Sequence, residues 1–238
     1  MNLKKIKKKK YLIKNIIRKL EIPSINLETI KFLKWFSEYN LVPIGMSLKL
    51  HLLSNEAIEI QNNKEIQKYN TFKKPNEIKL SDEQMKAVNE ITKNDNEFRV
   101  HVIQGTTGSG KTIVYFNSLK KKINEGFQGL ILLPEIGLTG EFQKKFKEFF
   151  GFEAAIWHSS ITKKNKKIIW NGIATGKIKV LIGARSSLFL PFLNLGIIIV
   201  DEEHDQSYKQ DEGVIYNARD MAISRSSFAN IPINLVTA

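Results

Sequence analysis

The sequence predicts an α/β fold in which helices cover both faces of a parallel β-sheet. From about residue 80 onward, short apolar runs alternate with longer stretches whose apolar residues recur at helical intervals. The runs are almost entirely aliphatic, as expected for strands that are buried on both faces. A glycine-rich segment joins the first run to the next helical stretch. Strands and helices that alternate in this way are typical of βαβ units.

The residues before the sheet have a different pattern. Apolar residues recur at roughly helical intervals in residues 3–20 and again in residues 30–36, and this part of the chain is basic. We therefore expect residues 1–53 to form a small, mostly helical and basic segment. Residues 54–78 are rich in Asn, Lys and Glu and are predicted to be a linker.

The α/β domain is predicted to occupy residues 79–238. It opens with a helix for which Ser81 is the N-cap, because Gln84, Ala87, Val88 and Ile91 follow at helical spacing. The last predicted strand runs into Ala238 without a turn or cap, so we expect the domain to be truncated there. The predicted strands are Phe98–Ile103, Leu130–Leu133, Ala154–Trp157, Val180–Ile182, Ile197–Val200 and Asn234–Val236, and the predicted helices between them are Lys111–Asn124, Thr139–Phe150, Lys163–Ala174 and Asn217–Ser227.

Composition narrows the classes of function. The 37 Lys and Arg residues outnumber the 24 Asp and Glu residues and give a net charge of +13, which favours a polyanionic partner such as nucleic acid. Part of this excess reflects a chain that is rich in Lys, Ile and Asn throughout. The absence of cysteine excludes disulfides and thiolate zinc sites within these 238 residues. No apolar run reaches the roughly 18 residues needed to span a bilayer, so we expect a cytoplasmic protein without a membrane partner.

A phosphate-binding loop follows the first predicted strand. Its sequence fits the pattern G-x-x-x-x-G-K-[ST], with a strand before it and a helix after it, as this motif requires. Its glycines allow backbone N–H groups to point at a phosphate, the lysine reaches the β- and γ-phosphates, and the final hydroxyl holds Mg²⁺. The predicted ATP-binding residues are Gly105, Thr106, Thr107, Gly108, Ser109, Gly110, Lys111 and Thr112.

An acidic segment follows the strand at residues 197–200. Asp201, Glu202, Glu203 and His204 come directly after an all-aliphatic run, at the carboxyl end of the strand, where open α/β sheets bind ligands. Asp201 is predicted to hold Mg²⁺ together with Thr112. Glu202 is predicted to be the catalytic base that orients the attacking water, and Lys111 and Asp201 complete the catalytic set.

These motifs resemble those of superfamily-two helicases, and more specifically the primosomal protein N′ (PriA) family of replication-restart helicases. Besides the phosphate loop and the Asp-Glu-Glu-His segment, the stretches that carry the resemblance are Leu133–Thr139, Trp157–Ser160, Ile182–Phe189, Ile199–Ala218 and Val236–Ala238, the last resembling the beginning of the third helicase motif. The resemblance implies a RecA-like domain that uses ATP and Mg²⁺, with Gln84 reading the adenine and His204 coupling the ATP site to DNA.

The same resemblance implies where DNA would bind. Loops after the strands would grip the backbone through hydroxyls, N–H groups and charge, and an aromatic-rich segment after His204 would stack on bases. The DNA-binding residues that it implies are Pro134, Thr139, His158, Arg185, Ser186, Tyr208, Lys209, Tyr216 and Arg219. Residues 35–45 resemble the end of the family's N-terminal domain, but the stretch before the sheet is short for that family.

The resemblance implies an ATP-dependent helicase that moves 3′ to 5′ on single-stranded DNA, acts at forked DNA with other primosome proteins in the bacterial cytoplasm, and binds zinc only beyond Ala238. This chain would be its ATP-binding half, with little unwinding activity of its own. Two alternatives stay open at this point. One is another superfamily-two translocase on DNA or RNA, and the other is a non-motor DNA-binding scaffold of the primosome.

Overall fold

The computed structural model describes residues 23–52, 64–70, 79–93 and 95–238. Its centre is a six-stranded, wholly parallel sheet in the order β1-β8-β5-β2-β4-β3, and a two-stranded antiparallel hairpin, β6-β7, lies apart from it. All six predicted strands are confirmed, with boundaries that differ by up to two residues. The strands are β1 (Val100–Gln104), β2 (Gln128–Leu132), β3 (Ala155–Trp157), β4 (Val180–Gly183), β5 (Leu195–Val200), β6 (Lys209–Gln210), β7 (Tyr216–Asn217) and β8 (Ile233–Thr237).

The predicted helices of the α/β domain are also confirmed. The predicted N-cap of α3 is confirmed, because the Ser81 hydroxyl accepts the Gln84 N–H in a full capping box. Thr139 and Thr162 cap the two helices that follow β2 and β3. The helices are α1 (Leu27–Tyr39), α2 (Ile44–His51), α3 (Asp82–Thr92), α4 (Lys111–Asn124), α5 (Gly140–Phe150), α6 (Lys163–Ala174) and α7 (Ala218–Ala229).

The core has two layers, one on each face of the sheet. Alternate residues of β2 show this: Leu130 and Leu132 belong to one buried cluster, and Ile131 belongs to the other. Helices α1, α6 and α7 cover the first face, and α3, α4 and α5 cover the second. The central strands are buried on both sides, which explains their continuous aliphatic sequences.

The N-terminal helices pack onto the first face rather than standing apart. Phe32 and Phe36 of α1 are fully buried, with ring centroids 5.8 and 4.9 Å from that of Phe189. Within the predicted linker, the 3₁₀ helix Lys64–Asn70 buries Ile66 and Tyr69 in the same cluster. The described parts of residues 1–78 therefore share a core with the α/β domain. The helical pattern predicted over residues 3–20 lies outside the described residues, and the three-part domain division stays a prediction.

The topology brings five loops to one edge of the sheet. Because the six strands are parallel, their carboxyl ends meet at the same edge, where the phosphate loop follows β1 and the acidic segment follows β5. The segments that begin at Leu133, His158 and Ala184 follow β2, β3 and β4 at this edge. Among the described residues, no helix is both long and apolar enough to cross a membrane.

Candidate functional site

The phosphate loop has the backbone conformation that its glycines allow. Gly108 and Gly110 both have φ of +84°, in the left-handed region that side chains rarely adopt. A Cβ on Gly110 would collide with the Gln84 amide. Lys111, the first residue of α4, folds back so that its ammonium donates hydrogen bonds to the carbonyls of Gly105 and Thr106. The lysine therefore lies across the loop that the sequence assigns to phosphate binding.

Gln84 reaches this loop from α3. Its Oε1 accepts the Ser81 N–H at 3.0 Å, which completes the capping box, and its Nε2 donates to the Ser109 carbonyl at 3.1 Å. The residue is thus placed against the phosphate loop, and its side-chain oxygen is occupied by the helix cap. That Gln84 reads adenine stays a prediction. The remaining loop residues, Thr106, Thr107 and Ser109, are exposed.

The acidic segment is hydrogen-bonded to both neighbours of its strand. The Asp201 N–H donates to the Leu132 carbonyl at the end of β2, and the Glu203 N–H donates to the Val236 carbonyl in β8. Glu202 lies between them with φ of +49°, an uncommon conformation for a residue with a side chain. The turn is therefore held from both sides, and the Glu202 side chain is exposed at the edge of the sheet.

Both carboxylate oxygens of Asp201 have partners within the protein. Oδ2 accepts the Tyr115 hydroxyl at 2.7 Å, and Oδ1 accepts the Glu202 N–H at 3.0 Å. Burial raises the pKa of Asp201, while these two hydrogen bonds and the positive charge of Lys111 act in the opposite direction. The carboxylate is consequently fixed in orientation and lies within the electrostatic influence of the phosphate-loop lysine.

The residues at this edge fit Mg²⁺ bound together with a nucleotide. Mg²⁺ is usually held by one or two protein oxygen ligands plus substrate phosphates and water, rather than by an all-protein cage. The described residues contain no group of three or more His, Asp or Glu side chains that could hold a metal alone. Asp201 and Thr112, however, interact with the same phenol, that of Tyr115, which places one carboxylate and one hydroxyl near each other beside the phosphate loop.

Two further contacts connect the acidic segment with the rest of the edge. His204 Nδ1 lies 3.1 Å from the Thr237 hydroxyl at the end of β8, and its Nε2 lies 3.6 Å from the Glu202 carboxylate. Arg219, at the start of α7, donates from Nη1 to Glu203 at 3.1 Å. His204 thus contacts the predicted base and the segment that resembles the third helicase motif, as a coupling residue would need to do.

The five residues predicted to grip DNA from the loops after β2, β3 and β4 lie along the same edge. Thr139 is exposed and caps α5, whereas Pro134 is buried at the end of its strand. The His158 ring accepts a backbone N–H at 3.3 Å, and the Ser186 hydroxyl accepts the Trp157 indole N–H at 3.1 Å. The structure brings these residues to one edge, and their contact with DNA stays a prediction.

Arg185 connects these loops with the predicted aromatic segment. Its Nη1 donates to the Lys209 carbonyl in the β6-β7 hairpin. The Lys209 side chain is exposed and pairs with Asp211 at 3.2 Å. Two cations therefore stand at the surface of the hairpin, next to the loop that follows β4.

The burial of Tyr208 and Tyr216 contradicts their expected stacking on bases. Tyr208 is 1% exposed, and its hydroxyl lies within hydrogen-bond distance of the carbonyls of Leu132 (3.0 Å) and Asp201 (2.5 Å). Tyr216 is 6% exposed and packs edge-on against Phe36 and Phe189. Neither ring has a free face for a base. Their positions make them structural supports of the acidic segment and of the core.

The sequence reasoning missed three side chains that contact the predicted site. Tyr115 donates to Asp201, Glu203 accepts from Arg219, and Thr237 contacts His204. The position of Tyr115, one turn after Thr112 on α4, was a usable signal, because helical spacing brings residues three apart onto one face. The contact of His204 with Thr237 depends on the pairing of β8 with β5, and the contact of Glu203 with Arg219 depends on the position of α7, neither of which a local pattern reveals.

Comparison with known proteins gives consistent results. Residues 81–238 match the DEAD/DEAH box helicase family. The chain is 47% identical over 218 residues to the Replication restart protein PriA of Rickettsia prowazekii, covering 90% of this chain and 32% of that protein. It is 40% identical over 169 residues to the protein of the same name from Bacillus subtilis, covering 70% and 21%. The UvsW helicase of bacteriophage T4 superposes with a TM-score of 0.49 at 16% identity, covering 89% of this chain and 71% of that chain.

The resemblance to the primosomal protein N′ family is thereby confirmed at the level of sequence. The chain spans about a third of the length of the Rickettsia relatives that it matches. The family match covers the sheet, the phosphate loop and the acidic segment. This chain belongs to the DEAD/DEAH box helicase family.

Proposed function

We propose that this chain is the ATP-binding half of an ATP-dependent DNA helicase of replication restart that moves 3′ to 5′ on single-stranded DNA. The observation that carries the proposal is the meeting, at one sheet edge, of the phosphate loop after β1, the acidic turn after β5 and the loops after β2, β3 and β4. The similarity to proteins named Replication restart protein PriA supports the replication-restart part of the proposal.

Each residue of the edge has a role in this mechanism. Backbone N–H groups of residues 105–110 and the Lys111 ammonium bind the ATP phosphates. When ATP binds, the ammonium leaves the backbone carbonyls that it contacts in this structure and contacts phosphate oxygens instead. Thr112 and Asp201 hold Mg²⁺, which neutralises the charge that develops on the phosphates. Glu202, exposed next to Asp201, orients the water that attacks the γ-phosphate.

A second RecA-like domain would complete the site. In related NTPases an arginine supplied from across the site accelerates hydrolysis by about 10³ to 10⁵. We therefore propose that these 238 residues alone bind nucleotide weakly, hydrolyse it very slowly and do not unwind duplex DNA. We further propose that residues 79–238 are the first RecA-like domain and residues 1–53 the remainder of a DNA-binding region, and that zinc binds only in a part of the protein beyond Ala238.

DNA would lie along the loops at the sheet edge. Arg185 and Lys209 supply positive charge there, and Thr139 offers a hydroxyl beside the N-terminal N–H groups of α5. The partners in this proposal are single-stranded and forked DNA and other primosome proteins, in the bacterial cytoplasm. His204, in contact with Glu202 and Thr237, would connect DNA binding to hydrolysis.

The first test is nucleotide binding by the 238-residue chain. A fluorescent ATP analogue should bind to the wild-type chain, and Lys111→Ala should weaken it at least tenfold, because the ammonium is the only side-chain charge that the phosphate loop itself provides. Lys145→Ala, at an exposed position of α5, is the matched control and should bind as the wild type does. Equal binding by the wild type and Lys111→Ala would exclude the phosphate-loop assignment.

The second test concerns the motor and its nucleic acid. A fusion protein joins this chain to the rest of the Rickettsia prowazekii relative, outside the region that the two share. Its rate of ATP hydrolysis is measured with single-stranded DNA, with single-stranded RNA and without nucleic acid. Stimulation by DNA that Lys111→Ala abolishes is the expected result. The burial of Tyr208 and Tyr216 removes the aromatic argument for DNA over RNA, so preferential stimulation by RNA would favour another superfamily-two translocase. Replication restart that survives Lys111→Ala would favour a non-motor scaffold.

A further inference from the structure

Tyr115 is a fully buried tyrosine whose hydroxyl reaches the predicted metal site. It lies in the second turn of α4, is 0% exposed, and its ring packs edge-on against Phe116 with centroids 5.2 Å apart. Its hydroxyl donates to Asp201 Oδ2 at 2.7 Å, across 86 residues of sequence. A buried phenol normally satisfies its polar end within the core, and this one satisfies it on the carboxylate assigned to Mg²⁺.

The phenol acts as a donor throughout the physiological range. Burial and the nearby negative charge of Asp201 raise the pKa of Tyr115 well above its ordinary value, so the hydroxyl keeps its proton. The nearby Thr112 side chain opposes this rise in the pKa. A single hydroxyl on α4 therefore interacts with both residues that are assigned to the metal.

The orientation of the carboxylate depends on two contacts. The Tyr115 hydroxyl holds Oδ2, and the Glu202 N–H holds Oδ1. Removal of the hydroxyl would leave the backbone contact as the remaining hydrogen bond on the carboxylate. The Asp201 side chain could then rotate, and its Oδ2 would lose a donor in a partly buried position.

We propose that Tyr115 is a positioning residue that orients the Asp201 carboxylate for Mg²⁺ and so sets the Mg²⁺ affinity of the nucleotide complex. The inference rests on the proposed function, since it requires Mg²⁺ and ATP at this edge. It adds a residue that lies outside the phosphate-loop and acidic motifs. Loss of a hydrogen bond that orients a metal ligand typically costs about 10- to 100-fold in metal affinity.

The experiment measures Mg²⁺ dependence rather than activity. A fluorescent ATP analogue is titrated into the 238-residue chain, in EDTA and over a range of free Mg²⁺, for the wild type and Tyr115→Phe. We expect Tyr115→Phe to bind the analogue in EDTA with the affinity of the wild type. The Mg²⁺ concentration that gives half of the full increase in this affinity should rise about tenfold or more in the variant. Tyr69→Phe, a tyrosine buried on the opposite face of the sheet, is the matched control and should leave both quantities unchanged.

A second pair of variants separates positioning from a general effect on the fold. Asp201→Asn should remove most of the Mg²⁺ dependence, and Tyr115→Phe added to it should change nothing further. Phenylalanine keeps the ring packing, and the unfolding midpoint without ligand checks that each variant is folded; Tyr115→Leu serves if phenylalanine is not tolerated.

The possible results are distinguishable. Wild-type Mg²⁺ dependence in Tyr115→Phe overturns the inference and leaves the proposed function intact. The inference is also overturned if Tyr115→Phe loses as much nucleotide affinity in EDTA as in Mg²⁺, or if it lowers the affinity further in the Asp201→Asn background. In either case the phenol would act on the fold and not through the carboxylate. A wild-type chain that binds no nucleotide overturns the proposed function and this inference together.

Discussion

Acidification should loosen the N-terminal helices through one buried histidine. His51, at the end of α2, is 1% exposed, and its Nδ1 lies 2.8 Å from the Phe189 carbonyl. That carbonyl only accepts, so Nδ1 carries the proton and Nε2 stays unprotonated, buried and without a hydrogen-bond partner among the described residues. Protonation at Nε2 would bury an unpaired charge. Burial, with a smaller contribution from the Arg225 charge, lowers the pKa of His51 from 6.5 to about 4.

The direction and size of the effect follow from linkage. The unfolded chain takes up the proton near pH 6.5 and the folded chain only near pH 4, so stability is full above pH 6.5 and falls as the pH drops between these values. With about 1.4 kcal/mol per pKa unit, the difference of pKa values corresponds to about 3 kcal/mol in total, of which about 2.5 kcal/mol is lost by about pH 4.5.

The assay is urea unfolding of the wild type and His51→Gln at neutral pH and near pH 4.5. Glutamine retains a neutral donor but does not titrate, so the contributions of the other ionisable groups cancel in the difference. The stability advantage of the wild type over His51→Gln should shrink by about 2.5 kcal/mol on acidification. An advantage that stays constant to within about 0.5 kcal/mol would refute the assignment of His51 as a buried neutral residue.

Three further predictions follow from buried or strained groups. Lys122→Met should destabilise the chain by about 1 to 3 kcal/mol in urea unfolding, because it removes the buried one of the two lysines that pair with the buried Asp95, whereas Lys145→Met at an exposed site should change stability by less than about 0.5 kcal/mol. Gly110→Ala should weaken binding of an ATP analogue at least tenfold, because the left-handed φ and the Gln84 amide leave no room for a methyl group. Tyr208→Phe should cost about 1 to 3 kcal/mol, because it removes the hydroxyl that lies within hydrogen-bond distance of the Asp201 carbonyl oxygen, and unchanged stability would show that water replaces the hydroxyl.

The sequence was sufficient for the sheet and for the phosphate loop because both depend on local patterns. Continuous aliphatic runs marked the strands, and the loop motif appeared between a strand and a helix as its chemistry requires. Ser81 marked the start of α3 through the hydroxyl that caps it. These features involve residues within a few positions of one another, so they can be recognised before any tertiary contact is known.

The features that were not predicted depend on contacts distant in sequence. The contact of Tyr115 with Asp201 requires that α4 pack beneath β5, and the left-handed backbone of Glu202 results from hydrogen bonds to two different strands. The aromatic segment was interpreted from a resemblance of sequence, which cannot distinguish a ring that faces DNA from one that faces the core. Tyr208 and Tyr216 belong to the second kind.

The position of β8 has a consequence for the order in which the protein can fold. Within the described residues, β1 pairs with β8 alone, and Val100 lies opposite Ile233. During synthesis the strand that carries the phosphate loop thus emerges early but has no neighbour in the sheet until residues 233–237 follow. Such a long-range closure is entropically costly and slow. Until it occurs, the nascent chain exposes an unpaired strand edge, the kind of surface on which partly synthesised proteins aggregate and which chaperones protect.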